Sequence, residues 1–337
     1  MVAVLVGDMH VTPQEVHELD GLMDLIYEAV RKNQANNVIF LGDQHHTHSV
    51  VHSEVIEFWD YHIRQFFNRG VVPTFIIGNH DQSLKDHDLH PFLAYVNGNN
   101  ALIVESYQTL GSASGYPFGF SVNLVAYRKE EQDFLKLCKD SKIINPSETL
   151  ICHQTFKDAL FENGQIAPEG FDSALVPQKH IISGHIHKAQ KLGKVWYPGT
   201  PRWRTLSDAN ETEKYVYVVD FLTDRYNIVE AIPTSSVVKR IISVEETEQN
   251  LSNVQFKPKD DIRVLLKGNL AWINSRKPYW LSLGAKVRTV VTGRPHKVKE
   301  SLGIDKAFQG FVSLFKAPNG SEPTVLASKA QQRLQDG

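Results

Sequence analysis

An α/β fold is predicted for this chain by three observations. Short apolar runs ending in Gly-Asp, Gly-Asn or His alternate with amphipathic helical stretches over the first hundred residues. Later apolar runs keep the length of strands, and 42 % hydrophobic with 22 % charged residues is the balance of an ordinary globular protein. Strand, helix, strand, helix, strand indicates parallel crossover units whose loops at the strand carboxyl ends carry the polar clusters. A length of 337 residues suits a large unit followed by a smaller one.

Val2 to Val6 is a continuous apolar run and reads as a strand buried on both faces. Thr12, Pro13 and Glu15 supply a capping hydroxyl, a proline at the first helical position and an acid three residues after the cap. They predict a helix from there to about Lys32. Asn37 to Leu41 is the second strand, Ser53 to Asn68 a second helix stopped by Gly70, and Val72 to Ile77 the third strand. Further strands are expected at 101–104, 120–127, 149–153, 180–185, 194–200 and 214–221, with one helix at about 130–139. Pro233-Thr234-Ser235-Ser236 reads as a linker, the runs VVKRIISVE and DIRVLLKG as strands beyond it, and 324–334 as a last helix.

No apolar run approaches the ~18 residues of a membrane span. The N-terminus MVAVLVGDMH has no basic leader, so a cytoplasmic protein is expected. Cys138 and Cys152 are too few for a disulfide framework and wrongly spaced for a zinc ribbon. Charge is divided unevenly: residues 237–337 hold 17 Lys and Arg against 9 Asp and Glu, and residues 1–236 hold 19 against 29. A basic segment following an acidic one suits a polyanionic partner gripped by one part while the other collects cations.

The stretch GDQHHTHSVVH at 42–52 poses the question of metal most directly. Similar clusters end the other strands: Gly7-Asp8-Met9-His10, Gly78-Asn79-His80-Asp81, Cys152-His153 and Gly184-His185-Ile186-His187. Asp, His and Asn side chains meeting at one sheet edge would supply mixed nitrogen and oxygen donors suited to manganese, iron or zinc, and the number of donors implies two ions. The ordered series DxH, GDxxH, GNHD, H, GHxH resembles the calcineurin-like metallophosphoesterases over residues 1 to about 221. The resemblance implies an αββα sandwich of two mixed sheets flanked by helices, with a small α/β capping domain. It further implies that Asp8, His10 and His187 hold one divalent ion, that Asn79, His153 and His185 hold the other, and that Asp43 bridges them. In GDQHHTHSVVH the ligand is then the aspartate. Two cations about 3.5–4 Å apart acidify a water and stabilise the charge of a phosphoryl group under in-line attack. The resemblance makes His80 the catalytic histidine that is not a ligand, with Asp81 as the group that fixes its tautomer.

Within that family the GDxxH form, which adds His46 as a histidine approaching the substrate phosphate, is similar to the SbcD and meiotic-recombination nuclease branch. So is YPGTPRWRTLSD at 197–208. The branch implies a manganese-dependent DNA exonuclease and endonuclease in recombination or repair, working as a homodimer with an SbcC-type coiled-coil ATPase in a heterotetramer. Domains are accordingly expected at 1–232 for the nuclease, 233–236 for the linker, 237–320 for a basic capping and DNA-binding domain, and 321–337 for a tail whose PTVLASKAQQRLQ segment docks a partner. The compact length is similar to versions encoded by large bacterial viruses. Arg263, Lys267, Arg276, Lys277, Lys286, Arg288, Arg294, Lys297 and Lys299 are candidate DNA phosphate contacts, with Trp272, Tyr279 and Trp280 either core or stacking groups. Val55, Phe58, Trp59, His62, Phe66 and Phe67 give the second helix a broad apolar surface, read chiefly as core. A small-nucleotide phosphodiesterase or pyrophosphatase is the enzymatic rival, and a scaffold that has lost its chemistry the other.

Overall fold

The computed structural model describes residues 1–48, 50–83, 89–94, 100–110, 122–222, 224–245 and 256–292. In chain order the elements are β1 (Val2–Val6), α1 (Val16–Asn33), β2 (Asn37–Phe40), α2 (Ser53–Asn68), β3 (Val72–Ile76), β4 (Leu102–Val104), β5 (Tyr107–Leu110), β6 (Val122–Val125), α3 (Glu131–Ile144), β7 (Thr149–His153), β8 (His180–Gly184), β9 (Gln190–Leu192), β10 (Val195–Tyr197), β11 (Tyr215–Phe221), β12 (Tyr226–Pro233), β13 (Ile241–Glu245), β14 (Asp261–Gly268), α4 (Leu270–Ser282) and β15 (Lys286–Val291).

Two six-stranded mixed sheets, ordered β12-β11-β1-β2-β3-β4 and β5-β6-β7-β8-β10-β9, carry the architecture expected from the sequence. In the first, β1 to β4 run parallel and β11 and β12 antiparallel; in the second, β6, β7, β8 and β10 run parallel. Alternation across the second sheet explains its all-apolar runs. Val122, Leu124, Ile151 and Ile182 join the core shared with the first sheet, while Val125, Leu150, Cys152 and Ile181 join a second core with Phe134 and Cys138 of α3. Helices α1 and α2 cover the first sheet through Leu19, Leu22, Met23 and Ile26, and through Val55, Phe58, Trp59, His62, Ile63 and Phe66. The apolar surface of α2 is therefore mostly core, with Phe67 and Tyr61 exposed.

The start of α1 differs from the expectation. Thr12 Oγ1 donates to the Glu15 carboxylate at 2.6 Å rather than accepting from the backbone, and Glu15 also receives Arg202 Nη2 at 2.9 Å. The would-be capping acid is thus engaged elsewhere, residues 12–15 form a turn, and the helix begins at Val16. The edge strands β5, β9 and β12 were not anticipated; nor were α4 and β15. Thr234 and Ser235, read as linker, are tied: the Thr234 N–H and hydroxyl donate to Lys214 O at 2.9 and 3.1 Å, and the Ser235 hydroxyl donates to Glu213 at 2.7 Å.

Among the described residues the chain divides into two compact units, one of Met1–Leu265 with Tyr279–Arg288, the other of Leu266–Pro278 with 289–292. In the first, β13 pairs parallel with β14 and Trp280 is buried against Phe256 at 5.8 Å between ring centroids. In the second, Thr292 N–H donates to Gly268 O at 2.8 Å. The segment 324–334, expected as a helix, lies outside the described residues.

Candidate metal centre

The parallel strands β1, β2, β3, β7 and β8 deliver their clusters at their carboxyl ends, where open α/β sheets carry their sites. Beyond β1 and β2 the backbone ladder continues, with His10 N–H donating to Asp43 O at 2.9 Å and Val11 N–H to Gln44 O at 2.9 Å. His10, Asp43 and His185 all have positive φ, at 45°, 54° and 77°, a strained choice for residues with a Cβ that recurs at functional sites. Two glycines clear the space. A Cβ on Gly42 would stand 2.2 Å from His153 Nδ1, and one on Gly184 would stand 2.3 Å from Leu41 O and 2.8 Å from Asp8 Oδ1.

Two donor groups result. In the first, donor atoms of Asp8, His10 and His187 lie within 4.8 Å of one another; in the second, those of Asp43, His153 and His185 do. Asp43 faces both, with Oδ2 3.6 Å from His10 Nε2 and Oδ1 3.3 Å from His153 Nε2. Asn79 Oδ1 joins the second group, 2.7 Å from His185 Nδ1 and 3.1 Å from His153 Nε2. The seven side chains proposed as ligands are thus brought together.

Their chemistry fits a pair of divalent ions. His10 Nε2 and His187 Nε2 face each other at 3.0 Å, and His153 Nε2 and His185 Nδ1 at 3.2 Å, so nitrogen lone pairs converge on common points as ligand nitrogens do. Outer partners fix the tautomers. His153 Nδ1 donates to Leu41 O at 2.7 Å and His187 Nδ1 pairs with Glu162 at 2.9 Å, leaving Nε2 of each ring for a metal. The Asp8 carboxylate accepts the His185 N–H at 2.8 Å, and the Thr200 hydroxyl donates to Asp8 O at 2.9 Å.

Electrostatics point the same way. Burial pushes Asp8 up to about 6, with Asp43 adding to the effect against the opposing pull of His153. Burial also opposes charge on Asp43, yet His153 and His10 hold that carboxyl well below its usual range. Burial lowers His10 and takes His185 down to about 3, so both rings stay neutral; His153, against its own burial, is raised to about 9 by Asp43 and Asp8. His187 is likewise raised against its own burial, by Glu162 and Asp8, so buried carboxylates draw protons onto two of the four rings where a cation would otherwise stand.

A third group forms the rim: nitrogens of His10, His46 and His80 lie within 4.8 Å of one another. His80 Nδ1 donates to His46 O at 2.9 Å, which sets its tautomer. Asp81 does not have the role expected of it. Its carboxylate accepts from Gln44 N, His45 N, His45 Nδ1 and Gly78 N at 2.8–3.0 Å and makes no bond to His80. It ties the loops after β2 and β3 together, because two successive backbone N–H groups and the His45 ring offer it more donors than its sequence neighbour could. Of the remaining histidines in 42–52, His45 is buried against Asp81 and His48 stacks on His80 at 4.3 Å. Sequence reasoning missed Glu162, Tyr127, which stacks on His185 at 5.9 Å, and Arg204, whose Nη2 donates to His46 Nδ1 at 2.8 Å.

Among the proposed phosphate contacts, Arg263, Lys286 and Arg288 line a cavity of about 430 Å³ with Leu206, Ser243 and Glu245. Arg263 and Lys286 share Asp261 at 3.2 and 3.0 Å. Lys267, Arg276 and Lys277 are exposed in the other unit, where Trp272 is half-buried. Tyr279 is exposed. Arg294, Lys297 and Lys299 lie outside the described residues. Among the described residues no helix is long and apolar enough to cross a membrane.

Comparison with known proteins gives one family match: the calcineurin-like phosphoesterase profile matches residues 1–189. One solved crystal structure is 13 % identical, covering 68 % of this chain and 98 % of its own, with a TM-score of 0.42. Another, wild-type Vps29 complexed with zinc from Entamoeba histolytica, is 10 % identical, covering 69 % of this chain and 99 % of its own, with a TM-score of 0.30. No curated protein matches the chain.

Proposed function

Since the chain belongs to the calcineurin-like phosphoesterase family, we propose that it is a two-metal phosphodiesterase acting on DNA, the nuclease subunit of an SbcD-type complex. Two divalent ions, when bound, supply an activated water and charge stabilisation for phosphoryl transfer. Manganese is taken as the ion from the resemblance to the nuclease branch, and the same nitrogen and oxygen donors would also accept magnesium, iron or zinc. Asp8, His10 and His187 would hold one, Asn79, His153 and His185 would hold the other, and Asp43 would serve both. His80 gives its proton to the departing oxygen: with Nδ1–H committed to His46 O, the imidazolium has only Nε2–H to transfer.

The observation that carries the reading is the rim. His46, the added histidine of GDxxH, stands with His10 and His80 while belonging to neither ligand set, which suits a contact to the phosphodiester. The basic cavity lined by Arg263, Lys286 and Arg288 supports a polyanionic substrate. The partnership with a coiled-coil ATPase, dimerisation near exposed Tyr61 and Phe67, and docking through 321–337 are part of the same proposal.

The test is hydrolysis of end-labelled duplex DNA and of bis-p-nitrophenyl phosphate with manganese, comparing wild type, His80→Ala and the pair Lys267→Glu with Arg288→Glu. DNA cleavage lost in both variants, with small-diester hydrolysis lost only in His80→Ala, is the expected result. Small-diester hydrolysis with intact DNA in every sample would replace the nuclease by a small-nucleotide phosphodiesterase.

A further inference from the structure

Two arginines stand in Pro201-Arg202-Trp203-Arg204, and the fold uses them differently. Arg202 is buried and its guanidinium is fully engaged, with Nε donating to Met9 O at 2.9 Å and Nη2 to His10 O and the Glu15 carboxylate at 2.9 Å. Arg204 is half-buried, and among the described residues its guanidinium has one hydrogen-bond acceptor, His46 Nδ1 at 2.8 Å, and no ion pair. Its charge reaches the site: burial lowers the pKa of His10 and of His46, and Arg204 adds to the lowering of both. Burial, with Arg202 adding to it, lowers its own pKa to about 10.

A half-buried cation that carboxylates reach only at a distance, here Glu15, Asp208 and Asp8, without a direct ion pair, is held at a cost, and one beside a site for two divalent ions more so. The loop nevertheless holds it there. Asp208 Oδ2 accepts the N–H groups of Arg204 and Thr205 at 3.1 and 2.7 Å, and Asp208 is itself anchored by Lys214 at 3.1 Å. An anion entering between the guanidinium and the metal donors would resolve the imbalance. Arg204 is a donor only, so its bond to Nδ1 leaves the neutral His46 ring with its proton on Nε2. Guanidinium and imidazole together thus offer fixed N–H donors at the rim, where an oxyanion is held best by groups that need no reorganisation.

We infer that Arg204, oriented by His46, grips a non-bridging oxygen of the phosphoryl group, a binding role that no motif in the chain assigns. The inference rests on the phosphoesterase reading and names the contact that reading lacks. The arginine supplies the charge; the His46 ring orients it through Nδ1 and offers its own Nε2–H to the same group.

The test uses manganese-loaded full-length chain and reads orthophosphate binding by calorimetry and metal content by elemental analysis. Arg204→Ala is expected to weaken orthophosphate at least about tenfold, as loss of a charge-assisted contact does, with manganese content unchanged. Arg204→Lys should recover only part, because an ammonium lacks the planar fork. His46→Ala should weaken phosphate less, through lost orientation. Unchanged phosphate affinity in Arg204→Ala, or loss of manganese from it, would overturn the grip. Phosphate binding that depends on Arg204 in a wild type that hydrolyses no ester would uphold the grip and refute the catalytic proposal alone.

Discussion

The inner ring of metal donors and the rim above it are built on opposite principles. Asp8, His10, Asp43 and His153 are almost completely shielded from solvent, and every carboxylate among them has several partners. His46 is exposed, and His80 and Arg204 are half-buried. Among the described residues each of these three side chains makes one hydrogen bond, leaving a ring nitrogen or guanidinium N–H groups over. The contrast teaches that holding the ions and handling the substrate are separable here, since the first demands a closed coordination shell and the second demands groups with capacity to spare.

The largest effect expected is from Asp43→Ala, which removes a carboxylate facing both groups. Manganese should fall below one ion per chain by elemental analysis, and diesterase activity by more than about a thousandfold. Ion content near wild type would erase the inner half of the comparison. His80→Ala should leave ion content intact and lower kcat by about 10²–10⁴, the usual contribution of a positioned acid or base. A parallel loss of metal would place His80 with the inner ring. Glu162→Gln acts from outside, through the His187 Nδ1 it orients, and should weaken manganese binding by about tenfold to a hundredfold in a competition titration. Unchanged affinity would show that the His187 tautomer needs no carboxylate.

The smallest effect concerns the anchor of the rim. Burial disfavours charge on Asp208, but Lys214 and the backbone donors hold its folded pKa below the ordinary value of 3.8. Its stabilisation is therefore complete above that value and is lost as pH falls through the lower, folded one. Wild type should exceed Asp208→Asn by about 1–3 kcal/mol in urea melts from pH 8 to 5, with the gap closing below about pH 4. A gap independent of pH would mean that the carboxylate charge is immaterial.

Much of the inner ring was legible because each ligand sits at the end of an apolar run, so strand register alone brings it to the same edge. The bounds of α2 were legible as well, since Gly70 and the spacing of Val55, Trp59 and Phe66 mark a helix without tertiary help. Other features depend on contacts that periodicity does not encode. Glu162 lies in a turn-rich stretch and meets His187 only because the chain folds back there. The late start of α1 follows from Arg202 reaching Glu15 across 187 positions. Asp81 lost its expected role to a loop that is adjacent only when β2 and β3 pair. The short edge strands β5 and β9 each set a single leucine among polar or amphipathic residues and lack the continuous apolar run that marks the central ones.

Asp81 has a further consequence, for how quickly the centre can be loaded. One carboxylate fastens the turn that carries Asp43 to the turn that carries Asn79 and His80, through protein donors alone. Chelation would leave that clasp closed, so the stripped centre keeps its shape and incoming manganese meets ligands already arranged. Loading should then follow the metal concentration linearly, without the lag of a folding step, and amide hydrogens of Gln44, His45 and Gly78 should exchange as slowly in stripped protein as in loaded.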